Sequence, residues 1–345
     1  EDAKVLIMDE PTSAITDAEV EVLFRIIASL KEQGVSILYI SHKLDELFRI
    51  ADRYIGLRDG EMVGTIEDIT NLDKFDLIRL MVGRDIKNQF EKHEFSNGKE
   101  VLRAENIKLP KEGSKTKFVV NDVSFSLVGG EVLGLFGLMG AGRTELLETL
   151  YGVHARRSSG FVFIDGQEVR IKSIERAVKL GLALVPEDRK EDGLVLNMNI
   201  ARNLSMASID KSVNYGLLNH TLERKLARAC INDLNIKTTS EMQRAEDLSG
   251  GNQQKVVLGK WLATKPKVLF LDEPTRGIDV HAKNEIYRLI NDLASEGLGV
   301  LVVSSELPEI MAISDRILVM SNGRLTGEFT RKEASENEIM KAATA

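Results

Sequence analysis

Residues 4–17 read KVLIMDEPTSAITD and residues 267–280 read KVLFLDEPTRGIDV, and the offset of 263 between them holds without a gap for about sixty residues. Asp9 falls on Asp272, Glu10 on Glu273, Ser41 on Ser304, Asp52 on Asp315, Arg53 on Arg316 and Gly60 on Gly323, with about twenty of sixty positions identical. A self-match of that length marks an internal duplication, and this period is a whole domain rather than a solenoid repeat. Whatever fold the second copy builds around Asp272, the first must share around Asp9. The second copy carries a Gly-rich loop near 137 and a glycine signature at 248, and subtracting the offset puts both before residue 1. The first copy is therefore expected to be the C-terminal part of a domain, in a chain that opens on Glu1 as a piece of something longer.

The short apolar runs Val5–Met8, Val35–Ile40 and Val268–Leu271 have the composition of parallel strands buried on both faces. Val20, Leu23, Phe24, Ile27 and Leu30 recur at helical spacing over 17–33, with Gly34 as the stop. Asp59-Gly60 predicts a hairpin turn, and residues 73–82 read as helix. Residues 84–100 are polar and nearly free of aliphatic side chains, a linker composition. The expected organisation is 1–83, the end of a first domain; 84–100, a linker; and 101–345, a complete second domain. In the second domain, antiparallel strands are expected over 101–128 and an all-helical insertion over 196–246. At 345 residues the length suits two such domains.

Three stretches carry chemistry. Gly137, Leu138, Met139, Gly140, Ala141, Gly142, Arg143 and Thr144 follow a predicted strand and open a predicted helix. They fit the phosphate-loop pattern G-x-x-x-x-G-K-[ST] with Arg in the Lys place. The glycines let backbone N–H groups wrap a phosphate, and the Thr144 hydroxyl can reach Mg²⁺. A planar guanidinium is harder than an ammonium to seat between phosphates, so nucleotide binding with slow or absent hydrolysis is expected there. In Leu248-Ser249-Gly250-Gly251-Asn252-Gln253-Gln254-Lys255 a serine and two glycines open a helix whose N–H groups form an anion site. The run ending in Asp272-Glu273 supplies an acid for Mg²⁺ and an acid to position water, and Asp9-Glu10 repeats it.

GLMGAGRTE, PEDRKEDGLV, LSGGNQQK, LDEPTRGIDV and VSSELPE, in tandem arrangement, resemble the monosaccharide-importer branch of ATP-binding-cassette (ABC) ATPases over the whole chain. The resemblance implies an α/β P-loop NTPase fold with a parallel-sheet core, an antiparallel β subdomain and a helical subdomain, duplicated, the first copy incomplete. It implies ATP and Mg²⁺ as ligands, with Ser249, Gly250, Gly251, Asn252 and Gln253 as the signature, and Thr144, Asp272 and Asp9 as metal-side residues. It makes Glu10 and Glu273 catalytic acids and His42 the γ-phosphate contact, which the second copy replaces with Ser305. Glu187 falls where the family has a Mg²⁺-touching glutamine. Two such domains face head to tail, so the signature at 248–253 would complete the site of Asp9, Glu10 and His42. One competent and one degenerate site is the expected pattern. Thr16 in place of the second copy's Asp279 is a smaller asymmetry. The resemblance leaves no clear adenine-stacking aromatic. Phe118 is a candidate that reads more readily as core, and Trp261 reads as packing.

The resemblance implies partners too: two membrane permease subunits and a periplasmic or extracellular sugar-binding protein, with the chain peripheral on the cytoplasmic face of a bacterial inner membrane. The tail from Gly327 to Ala334 tilts the sugar toward ribose, with galactose/methyl-galactoside or another pentose as alternatives. No apolar run approaches the roughly 20 residues of a membrane span, so membrane association is expected through the permease. The net charge of −7 and short linker argue against nucleic acid, and so against a twin-cassette ATPase working on ribosomes or DNA. A non-hydrolysing nucleotide-binding module stays open for this chain by itself. The single cysteine, Cys230, excludes an internal disulfide.

Overall fold

The computed structural model describes residues 3–9, 11–12, 17–41, 44–58, 61–66 and 98–345, with 115, 139 and 215 excepted. Glu10, His42, Met139, the segment 73–82 and most of the expected linker lie outside the described residues. The chain divides into two compact units, Glu1–Glu91 and Lys92–Ala345.

In the first unit β1 (Val5–Asp9) runs parallel to β2 (Ser36–Ile40), with Val5 opposite Ser36 and Asp9 opposite Ile40. Between them α1 (Asp17–Glu32) turns a stripe of Val20, Phe24 and Ile27 onto Met8, Ile37 and Tyr39. That stripe has the 3–4 spacing of one helix face. Helix α2 (Leu44–Ile50) adds Ile50 to the cluster. Strands β3 (Tyr54–Arg58) and β4 (Glu61–Ile66) then pair antiparallel, as the hairpin reading requires. The expectation that β1 and β2 are buried on both faces fails. Val5, Ile7, Leu38 and Ile40 are 45–64% exposed, because a pleated strand sends alternate side chains to opposite faces and only the helix-covered face is shielded.

The second unit opens with β5 (Glu100–Pro110) and β6 (Phe118–Val128), paired antiparallel. Strand β7 (Val132–Gly137) leads into α3 (Arg143–Tyr151). Strands β8 (Ser159–Ile164) and β9 (Gln167–Val169) complete a four-stranded antiparallel sheet in the order β6-β5-β8-β9. After α4 (Ile174–Lys179) comes β10 (Leu182–Val185), then a π-helical turn at Arg189–Gly193. The region expected to be all helical is mixed. It holds α5 (Ile200–Ser205), a 3₁₀ turn (Met206–Ser212), a small hairpin of β11 (Val213–Asn214) and β12 (Leu217–Leu218), and α6 (His220–Asp233). Gly216, at φ 81°, makes the hairpin turn that helix-forming composition concealed. From 234 to 244 the chain is irregular, held by a bridge between Asn199 and Arg244.

The rest is α7 (Gly250–Leu262), β13 (Val268–Asp272), α8 (Val280–Ser295), β14 (Gly299–Val303), α9 (Leu307–Ile313), β15 (Arg316–Ser321), β16 (Arg324–Thr330) and α10 (Glu336–Ala343). The main sheet runs β10-β13-β14-β7-β15-β16, parallel except for the last pair. Every residue of β7, β13 and β14 is buried, the outcome their unbroken apolar runs demand. One core joins the two sheets through α3. Leu146, Leu147 and Leu150 pack with Leu133, Leu135, Phe270 and Leu301 of the parallel sheet and with Leu102, Val120 and Leu127 of the antiparallel one. The register sets Asp272 beside Val303, and Val303 beside Leu135. The chain segments that leave β7, β13 and β14 therefore emerge side by side at one edge.

Candidate functional site

The loop from β7 to α3 turns at Gly142, φ 93°, where a Cβ would stand 2.5 Å from the Val119 carbonyl oxygen. Only glycine fits both the dihedral and the space, so the loop folds tightly onto the first turn of α3. The first N–H groups of a helix have no partner within it, so this turn offers the donors of a phosphate cradle. Thr144, one residue into the helix, hydrogen-bonds Asp272 at the end of β13. Asp272 is 2% exposed, and its Oδ1 has no hydrogen-bond partner. Burial pushes its carboxyl up to about 6. A buried, half-satisfied carboxylate beside a hydroxyl is suited to a hard cation, so Thr144 and Asp272 fit Mg²⁺. Among the described residues no cluster of three or more acids, histidines or cysteines could hold a metal unaided. The remaining ligands would be water and phosphate oxygens.

Arg143 and Glu273, adjacent to these two, face each other. The guanidinium Nη1 lies 3.6 Å from Glu273 Oε1, with both side chains only 10–12% exposed. That Nη1 has no hydrogen-bond partner. Glu273 sits at φ 45°, a left-handed conformation costly for a non-glycine residue. It is held there by its N–H donating to the Val303 carbonyl at 3.0 Å. Burial raises the Glu273 carboxyl, opposed by Arg143 and by hydrogen bonds from Ser305. The strained acid thus points at the loop, and the arginine of the loop answers its charge.

A cleft of about 300 Å³ opens beside Thr144 and Asp272, lined also by Glu148, Glu187, Asp188 and Asp192. Glu187 is ion-paired to Arg276 of the turn after Glu273. Next to it, Arg189 donates to the carbonyls of Arg276 at 2.7 Å and Gly277 at 3.0 Å, and to Gln253 Oε1 at 3.4 Å. Sequence reasoning singled out Glu187 and passed over Arg189 and Arg276. Arg189 depends on two carbonyls, and Arg276 on a carboxylate, more than 80 residues away in the chain.

At the glycine signature, Ser249 precedes the first turn of α7 and its Oγ accepts from Asn252 Nδ2 at 2.8 Å. Asn252 Oδ1 in turn accepts from the Lys237 N–H at 2.8 Å. Gln253 is buried, with Nε2 on the Ala245 carbonyl at 3.1 Å. Ser249, Gly250 and Gly251 form the helix opening, whereas the Asn252 and Gln253 amides are occupied within the fold. In the first unit Asp9 stands exposed at the end of β1, beside Ile40. Glu10 and His42 are outside the described residues. Phe118 is half-buried at the start of β6, one residue from the carbonyl that abuts Gly142, and outside the core cluster. Trp261 packs edge-on against Tyr151 at 5.9 Å, as a core residue should.

A glycine cradle at a helix start, with a buried acid at the next strand end and a strained acid behind it, defines a P-loop nucleotide-binding cassette. The ABC transporter family model matches residues 120–276. A ribose import ATP-binding protein of Rhodopirellula baltica is 54% identical over 340 residues, covering 99% of this chain and 66% of the relative. A xylose import ATP-binding protein of Moorella thermoacetica is 50% identical over 343 residues, covering 99% and 68%. The chain thus spans about two thirds of the length of these relatives. Among solved structures, an ABC transporter's ATP-binding cassette in its ADP conformation superposes with a TM-score of 0.60 at 21% identity. It covers 71% of this chain and 99% of that one. A nucleotide-free cassette gives 0.58 at 22%, covering 71% and 96%. This chain belongs to the ABC transporter family as an ATP-binding cassette protein.

Proposed function

We propose that the second unit binds MgATP at the sheet edge formed by 137–144, Asp272 and Glu273, and that the chain energises import of a monosaccharide. The observation that carries this reading is the unpartnered Oδ1 of buried Asp272 beside Thr144 at a glycine cradle. Ribose is the first choice of sugar, in keeping with the tail Gly327–Ala334 and the named ribose importer above. Xylose or galactose/methyl-galactoside are the alternatives. No described helix is long and apolar enough to cross a membrane, so association would be peripheral, through two permease subunits served by a sugar-binding protein. Exposed Met206, Ile209, Val213 and Leu217 offer those subunits an apolar surface next to α5 and α6.

Of the two copies of the acid pair, the one that carries Asp9, Glu10 and His42 would be the catalytically competent one. The site with Arg143 would hold nucleotide and turn it over slowly, because Glu273 is neutralised by the arginine. That ion pair equally favours a second reading, in which this unit binds nucleotide without hydrolysing it. Titration calorimetry with MgATP, followed by phosphate release, tests both. Binding with slow turnover is expected, and Arg143→Lys should raise turnover at least about tenfold through an acid freed to position water. Absence of MgATP binding would refute the assignment. An Arg143→Lys variant no faster than the parent would favour the non-hydrolysing reading.

A further inference from the structure

A second carboxylate, used by neither the loop nor the metal site, lies buried behind the catalytic edge. Glu309 on α9 is 7% exposed and accepts from four side chains. Thr275 Oγ1 reaches both its oxygens, at 2.9 and 2.8 Å, Ser304 Oγ reaches Oε2 at 2.9 Å, Lys283 Nζ reaches Oε1 at 2.7 Å, and the Tyr287 hydroxyl is the fourth. Thr275 stands two residues after Glu273, and Ser304 one residue before Ser305, the donor to Glu273. The Ser304 oxygen also accepts from the Glu306 N–H at 3.0 Å, so Ser305 is bracketed on both sides. One carboxylate thereby fastens the turn that carries the strained acid to the loop that carries its donor.

The first unit contains the same device. Glu46, at the offset of 263 from Glu309, is 8% exposed. It accepts from Thr12 Oγ1 at 2.8 Å, Ser41 Oγ at 3.4 Å and the Tyr39 hydroxyl at 2.9 Å. Thr12 and Ser41 match Thr275 and Ser304, but the phenol does not: Tyr39 matches Val302, and Tyr287 matches Phe24. A tyrosine hydroxyl thus reaches the equivalent carboxylate from a strand in one unit and from a helix in the other. General packing would not keep that donor while moving its source. A buried acid is costly unless donors meet its oxygens, and each unit supplies at least three.

We propose that Glu309 is a positioning residue that holds the acid-bearing turn and the following strand-end loop in the spacing a terminal phosphate requires. The inference rests on the nucleotide reading above, in which Glu273 and Ser305 face that phosphate while Thr144 and the glycine loop hold the others. It separates two effects that a merely structural role would merge. Loss of Glu309 should loosen the γ-phosphate end and leave the diphosphate end alone.

The test is calorimetry on the whole chain with two probes, Mg·ADP and the non-hydrolysable Mg·AMP-PNP. Glu309→Gln and Thr275→Val should each weaken AMP-PNP roughly tenfold, the worth of one charge-assisted hydrogen bond, with ADP affinity within about twofold. Thr275→Ser, which keeps the hydroxyl, should bind as the parent does. Equal weakening of both nucleotides, or no change in either, overturns the proposal while leaving nucleotide binding intact. A parent chain that binds neither nucleotide overturns both. If Glu309→Gln fails to fold, the Thr275 pair decides alone: Val and Ser variants that behave alike refute the proposal, and a γ-selective loss confined to Val supports it.

Discussion

Asp272 is a buried carboxylic acid with one oxygen left without a hydrogen-bond partner. With its carboxyl raised to about 6 against an ordinary 3.8, the folded protein prefers the protonated acid. Its contribution to stability is therefore complete below about pH 4 and is lost as pH rises through 6. Asp272→Asn removes that loss and keeps a polar side chain beside Thr144. In metal-free buffer the variant should be more stable than the parent at pH 8, by on the order of 3 kcal/mol at most, with the difference vanishing near pH 4. Thermal melts across that range measure it. MgATP should reverse the order, stabilising the parent and not the variant, and this gain should fade below pH 6 as protons compete with the cation. A variant less stable than the parent at pH 8 without metal would mean the carboxylate is stabilised by the protein itself.

Elements matter where they approach too closely for a side chain. A Cβ at Gly251 would lie 2.5 Å from Ala282 Cβ, so the start of α7 and the first turn of α8 meet through that missing methyl. The signature glycine is thus needed for helix packing. Gly251→Ala should cost roughly 1–3 kcal/mol by overpacking. Adding Ala282→Gly should recover part of it despite the helix propensity lost. Denaturant unfolding of the two singles and the double measures the coupling, and strictly additive losses would refute the contact. Nucleotide contacts aside, the two-helix packing was invisible in LSGGNQQK because its partner is 31 residues further on.

At the scale of the molecule, one strand pair meets two fates. Val268, Phe270, Leu301 and Val303 are sealed in the core under Leu146, Leu147 and Leu150 of α3. Their counterparts Val5, Ile7, Leu38 and Ile40 are about half exposed. A contiguous apolar face on a two-stranded sheet promotes association. Each of these side chains contributes roughly 1 kcal/mol when withdrawn from water. The chain should self-associate with rising concentration, and Ile7→Lys with Leu38→Lys should shift it toward monomer in sedimentation velocity. A distribution unchanged by the double variant would show that this face is not what associates.

The cassette fold was largely legible in the residues. Short apolar runs ending in paired acids read as strands, glycines at phosphate-loop spacing read as a tight loop before a helix, and the repeat carries one reading to the other copy. The hairpin inside 213–218 was hidden by helix-forming neighbours. The half-bare β1–β2 pair was hidden because a strand's own residues do not say what lies over them. The Thr–Ser–Glu staple was present in the repeat as Thr12/Thr275, Ser41/Ser304 and Glu46/Glu309, yet nothing local marks a glutamate as buried. The chain by itself determined the loop, the acids and the duplication, because those depend on residue type at short spacing. The tertiary structure alone decided that Arg143 meets Glu273, that Asp272 is left short of a partner, and that one carboxylate ties two loops together. Each of those is a distance between side chains from different strands or helices, set by sheet register and core packing.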